Sequence, residues 1–188
     1  MKALLIGLGV IVLCVLIFGG GLISSRNELV TEREAVKAAF TQVDVDLQRR
    51  LDLIPNLVET VKGFAKQELA VTDSVTQARA AMMGAKTPAE RIAANNQLEG
   101  ALGRLFVIVE NYPNLKSNEN FLRLQDELAG TENRIAVERR KYNEAVQEYN
   151  KDTEIFPKNI AASMFGFHRN DAYFKAEGAA REAPKVKF

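Results

Sequence analysis

The sequence predicts an all-α fold: an N-terminal transmembrane helix, then an antiparallel four-helix bundle with a short helical C-terminal arm. Three observations carry it. Ala3 to Ile23 is a run of 21 residues without a charge. Beyond it, apolar residues recur at spacings of three, four and seven, which places them on single faces of helices. No segment sustains the alternation of period two that a strand requires, so strands are not expected. The expected organisation is an anchor over 1–24, a bundle over 25–157 and an aromatic-rich arm over 158–188.

At a rise of about 1.5 Å per residue, the apolar run matches the ~30 Å hydrocarbon thickness of a bilayer. Two kinds of cleaved segment compete with an anchor for such a run. A cleaved signal peptide would use Met1-Lys2 as its basic start, but Ala3 to Phe18 already reaches the upper length for such a peptide and no Ala-x-Ala site follows. Cleavage near Gly19-Gly20-Gly21 or Ser24-Ser25 is the alternative. A lipoprotein signal fails because Ile11-Val12-Leu13 precede Cys14 where a small residue is required. Cys14 reads instead as a lipid-facing or helix-packing thiol. The flanking charges, Lys2 on one side and Arg26, Arg33 and Lys37 on the other, lean slightly toward a cytoplasmic domain and leave the side open. The expected location is the cell membrane, crossed once.

Charge narrows the partners. The chain of 188 residues carries 25 basic and 24 acidic side chains, and without Lys2 the balance is 24 against 24. A neutral domain lacks the excess of Lys and Arg on which nucleic-acid binding depends. The length corresponds to one domain.

Prolines punctuate the polar part. Pro55, Pro88, Pro113 and Pro157 mark candidate helix boundaries, because proline is tolerated in the first turn or beyond the end of a helix and rarely inside one. At Thr87-Pro88-Ala89-Glu90 the residues predict a capping box, with Gly84 suited to the preceding helix end. Tyr112-Pro113-Asn114 ends the next helix, and Ser117 or Asn118 can cap the following one, with Glu119 in its first turn. The boundary at Asp52-Leu53-Ile54-Pro55 is the weakest, since the apolar stripe continues through it; one kinked helix is the alternative there.

The first stripe runs Leu29, Val36, Phe40, Val43, Leu47, Leu51, Ile54. The second runs Leu57, Val61, Phe64, Val71, Val75, Ala78, Met82. A third comprises Leu98, Leu102, Leu105, Val109 and Tyr112, and the fourth extends from Phe121, Leu124, Leu128 and Ile135 through Tyr142 and Val146 to Tyr149 and Phe156. Four such helices joined by short loops bury their stripes most simply as an up-down-up-down bundle. The tail beyond Pro157 gathers Phe165, Phe167, Tyr173, Phe174 and Phe188. These rings either dock the arm on the bundle or form a contact surface for a subunit, a partner or the bilayer.

Bond-making chemistry has little to work with. A di-iron bundle needs inward Glu-x-x-His pairs, and the single His168 lies in the tail. Zinc sites of Cys and His fail for the same reason. No Gly-rich phosphate loop is present, and Ser, Thr or Lys nucleophiles have no motif supplying a base. No catalytic residue, cofactor or metal is therefore expected.

Polarity inside the stripes is the remaining signal. Glu68 falls where the second stripe requires an apolar residue, and Asn95 does so in the third. In the fourth, Glu132, Asn133, Arg134, Arg139, Arg140 and Asn143 form a polar centre. A buried carboxylate needs a partner, and Arg139 is the expected one for Glu68. Alternatively, Leu69 takes the core position and Glu68 stays in water at the margin.

The run from Val43 through Leu51-Asp52-Leu53-Ile54-Pro55-Asn56-Leu57-Val58-Glu59 to Ala65 resembles the hallmark segment of the LemA family. So do Val109 to Lys116, Asn118 to Phe121, Thr131 to Ala136, Tyr142-Asn143, Tyr149-Asn150, Phe156-Pro157, Phe165-Gly166-Phe167 and the closing Pro184 to Phe188. The resemblance covers essentially the whole chain. It departs at Leu51, where family members commonly carry His, and at Gln67-Glu68, which replaces a frequent His-Glu pair, so no role of those imidazoles transfers. The resemblance implies a bacterial single-pass membrane protein with a helical bundle and no established reaction. Relatives linked to magnetosome membranes favour assembly over catalysis. The leading expectation is a membrane-anchored scaffold acting by self-association or by binding another membrane protein. A ligand- or ion-sensing bundle with its polar centre near Glu68 and Asn133 is the alternative.

Overall fold

The computed structural model describes residues 2–175, with side chains from Leu5 onward; Pro184 to Phe188 lie outside the described residues. Among the described residues there are six helices and no strands: α1 (Lys2–Phe64), α2 (Leu69–Gly84), α3 (Pro88–Val109), α4 (Pro113–Lys116), α5 (Glu119–Glu154) and α6 (Lys158–Phe165). The apolar start of α1 is exposed throughout Leu5 to Phe18, Cys14 included. By length and composition it is sufficient to cross a membrane.

Two compact units divide the described chain. One comprises the residues up to Ala39 with Tyr142–Asp171; the other comprises Phe40–Lys141 with the residues from Ala172 on. In the first, Leu29, Val36, Tyr142, Val146, Tyr149, Ala161, Ala162 and Phe167 are buried. In the second, the stripes on α1 (Val43, Leu47, Leu51, Ile54, Leu57, Val61), α2 (Val75, Ala78, Met82), α3 (Leu98, Leu102, Leu105) and α5 (Phe121, Leu128, Ile135) are buried.

Local signals set several boundaries. Thr87 caps α3 as a complete capping box: its Oγ1 accepts from the Glu90 N–H at 3.2 Å, and the Glu90 carboxylate accepts from the Thr87 N–H at 3.1 Å. Asn118, rather than Ser117, caps α5, its Oδ1 accepting from the Phe121 N–H at 3.1 Å. The Ser117 hydroxyl instead donates to the Pro113 carbonyl.

The expected boundary at Pro55 is corrected: α1 continues through it to Phe64. Proline has no N–H for the carbonyl four residues back, here that of Leu51, and an unpaired carbonyl in a helix interior is a large part of why proline breaks helices. Arg79 of α2 supplies the missing donor, its Nε–H reaching the Leu51 oxygen at 3.1 Å. The chain breaks instead over Ala65 to Glu68, just after Gly63, whose helix propensity is about 1 kcal/mol poorer than alanine's. That shift shortens the second helix to 16 residues and leaves Phe64, expected in the core, 44% exposed.

Candidate functional site

Four ionic side chains meet inside the second unit. Arg50 follows Leu47 by three residues and precedes Ile54 by four, so the helical repeat itself turns a guanidinium inward, and it is only 6% exposed. Its Nη2 lies 2.8 Å from Glu132 of α5 and its Nη1 3.5 Å from Glu99 of α3. Glu99 also accepts from Arg139 of α5 and, at 2.8 Å, from the amide of fully buried Asn95. Arg139 in turn lies over the Phe174 ring at 5.1 Å.

Two arginines and two glutamates balance within this layer. Burial pushes the Glu99 carboxyl upward, but the Arg139 hydrogen bond and charge, the Asn95 amide and Arg50 outweigh it and hold the group below its ordinary range. Arg91 with Asp44 (3.1 Å) and Arg134 with Asp46 (3.4 Å) add partly exposed pairs linking α1 to α3 and α5. A cleft of about 240 Å³ opens beside Arg50 and Glu132, lined otherwise by Leu102, Phe106, Gln125, Leu128 and Ala129. Among the described residues no group of three or more His, Cys, Asp and Glu is placed to hold a metal ion.

The sequence-predicted polar residues separate on this geometry. Asn95, Glu132 and Arg139 belong to the layer. Arg134 is exposed toward Asp46, Asn133 is exposed, and Asn143 is half-buried in the first unit. Glu68 does not pair with Arg139. The break after Phe64 carries it to the start of α2, where it accepts a hydrogen bond from the Tyr112 hydroxyl at 2.9 Å. Leu69 does not replace it in the core, being 56% exposed. Arg50 and Glu99, the centre of the layer, were legible only as charges standing in the apolar repeats.

The aromatic residues also divide. Phe167 and Phe174 are buried and Tyr173 is half-buried, whereas Phe165 is exposed. The contact-surface alternative is thus corrected for Phe167 and Phe174, which are docked with Arg33 and Arg139 over their rings, and of the four it keeps only Phe165 and half-buried Tyr173. In the first unit Tyr149 donates to the His168 carbonyl at 2.9 Å. Asn150 exchanges two 2.7 Å hydrogen bonds with the Asn170 backbone, which pins the segment after α6.

Beside this clamp, Lys158 pairs with Glu28 at 2.8 Å, with Asp152, and more distantly with Glu32. Burial, then the neighbouring Asp152 carboxylate, pushes Glu32 from its ordinary 4.5 up to about 7, against the pull of Lys158. The folded state therefore holds a proton that the unfolded chain releases between those values. The resulting stability is complete below about 4.5 and is lost as pH rises through about 7. Glu32→Gln keeps a donor for Asp152 without the titration. It is expected to raise the melting temperature of the full chain in detergent at pH above 7 and to flatten its slope between those pH values. A slope identical to that of the parent protein would refute the assignment.

The LemA family model matches residues 39–188. Magnetosome protein MamQ 2 of Paramagnetospirillum magneticum is 28% identical over 194 aligned positions, covering 89% of this chain and 71% of the relative. MamQ of Magnetospirillum gryphiswaldense is 26% identical, covering 92% and 72%. Protein LemA of Metamycoplasma hominis is 24% identical, covering 85% and 73%. With the family's pattern spanning both the buried ionic layer and the Tyr149-Asn150 clamp, this chain belongs to the LemA family.

Proposed function

We propose that this protein is a membrane-anchored four-helix scaffold that assembles by self-association or by binding another membrane protein. The observation that carries the reading is the wholly exposed apolar start of α1, which bilayer contact would cover, leading without interruption into a helical body. Within that body the inward charges are committed to one another: Arg50, Glu99, Glu132 and Arg139 form a balanced set. Such a set fixes helix register more readily than it performs proton transfer. The resemblance to magnetosome proteins supports an assembly role at a membrane. A sensing centre at Glu68 and Asn133 finds no support in their placement, since one is engaged by Tyr112 and the other faces solvent.

Amine-reactive crosslinking of the full chain in native membranes tests the reading. Discrete higher-mass species that resist alkaline extraction are expected. A strictly monomeric, partner-free pattern would overturn the scaffold. Release of the protein by alkali would overturn the anchor.

A further inference from the structure

Helix α6 is built inside out for a helix that faces water. It buries its smallest apolar residues, Ala161 and Ala162, and turns outward Ile160 (41% exposed), Met164 (63%) and Phe165 (44%). Ile160 and Met164 stand one turn apart on the same face. Immediately before the helix, Ile155 and Phe156 are 50% and 74% exposed. Scattered apolar residues on a surface need no explanation, but five within eleven consecutive residues make a cluster that wants covering.

The placement of α6 indicates what covers it. The Phe165 ring lies 5.8 Å from the Arg26 guanidinium, and Arg26 follows the end of the apolar run by three residues, about 4.5 Å along the helix axis. At its other end, Lys158 is held by Glu28 and Glu32. Both ends of α6 are thus tied to the nine residues of α1 that follow Ile23. Gly166, at φ 71°, then reverses the chain, with the Phe167 N–H bonded to the Ala162 carbonyl at 2.9 Å. Phe167 returns beneath Arg33, farther from the apolar run. The Phe165 end of α6 thus stands beside the end of the apolar run.

We propose that α6, with Ile155 and Phe156, is a juxtamembrane foot whose outward face lies in the headgroup–acyl boundary of the bilayer that α1 spans. The occupant is lipid because the foot continues the exposed apolar surface of α1 at the depth where that surface ends. An amphipathic segment in this position sinks its apolar face roughly 5–10 Å into the boundary region. Arg26, three residues past the apolar run and beside Phe165, is placed as a long basic side chain that reaches headgroups while its stem remains among apolar groups. A second attachment point gives the first unit a fixed facing toward the membrane, which a single helix free to rotate would not. The inference rests on the reading of α1 as an anchor.

The test uses the full chain in vesicles of phosphatidylcholine and phosphatidylglycerol, with an environment-sensitive fluorophore on single cysteines. The native Cys14 reports the anchor. Met164→Cys and Asp126→Cys, each in a Cys14→Ser background, report the foot and a solvent-facing control. Lipids bearing a nitroxide near the headgroup are expected to quench the probe at 164, with blue-shifted emission, while the probe at 126 is quenched by aqueous iodide alone. Adding Ile160→Asp and Phe165→Asp is expected to abolish lipid quenching at 164, with helical circular dichroism unchanged. Iodide quenching at 164 together with deep-nitroxide quenching at Cys14 would overturn the foot and leave the anchor standing. Iodide quenching at Cys14 would overturn the anchor itself. A probe at 164 that is silent to both quenchers but self-quenches between copies would assign the face to a second copy of the chain, and would overturn the lipid assignment.

Discussion

Glu99→Gln is expected to destabilise the helical body by about 1.5–3 kcal/mol, the cost of removing the charge from a half-buried carboxylate that a buried guanidinium faces. Glu99 accepts from Asn95 and Arg139 and balances Arg50, which is 7% exposed at its side chain. An amide of the same shape keeps the volume but removes the charge that both guanidinium groups face. Arg50 would then depend on Glu132 alone, and that carboxylate is 41% exposed and correspondingly screened. The measurement is the shift in denaturation midpoint of the full chain in detergent, followed by helical circular dichroism. The penalty should shrink in acid. Because Glu99 is held below its ordinary range, its stabilisation is present above about 4.5 and is lost as pH falls through its depressed value. Replacing the set jointly, Arg50→Met with Glu99→Leu, Arg139→Met and Asn95→Leu, is expected to recover much of the loss, since no buried polar group is then left without a partner. A Gln variant as stable as the parent protein at neutral pH would show that the layer is not buried as described.

Phe121→Ala is the second large effect, at about 3–5 kcal/mol for a buried ring truncated to a methyl group. Phe121 is 1% exposed and meets Phe106 of α3 edge-on, with centroids 6.4 Å apart and planes at 67°. That geometry adds roughly 0.5–1.5 kcal/mol beyond burial. Its backbone N–H is held by the Asn118 cap, which the substitution leaves in place, so the loss would report packing and not capping. A double-mutant cycle with Phe106→Leu separates the ring pair from the cavity. A change under about 1 kcal/mol would place it among ordinary surface substitutions and contradict the packing of the α5 start.

Much of this was open to a reader of the sequence. The apolar run, the helical stripes and the Thr87 capping box depend on residues within about four positions of one another, and such local patterns survive in the order of the letters. The Pro55 boundary did not. Local chemistry says that proline breaks a helix, and the donor that removes the penalty is Arg79, 28 residues away. The true break over Ala65 to Glu68 was hidden because Val61, Phe64, Val71 and Val75 keep one apolar helical phase across it in the sequence. Carrying one helix through that break left two readings of Glu68, paired with Arg139 in the core or in water at the margin, and neither includes the Tyr112 hydroxyl that it meets. The buried aromatic tail was half legible, as rings in need of cover, without the arginines that provide it.

The sequence by itself determined that this protein is helical, that its first segment is long and apolar enough to cross a membrane, and which faces are apolar. These follow from rise, periodicity and capping, all short-range properties of the chain. The tertiary structure decided which charges meet, where the first helix ends, and that α6 shows large apolar side chains beside the end of the apolar run. Those outcomes depend on groups far apart in the chain arriving within a few ångströms, and the energy of burying a charge or a carbonyl is set by the partner it finds there.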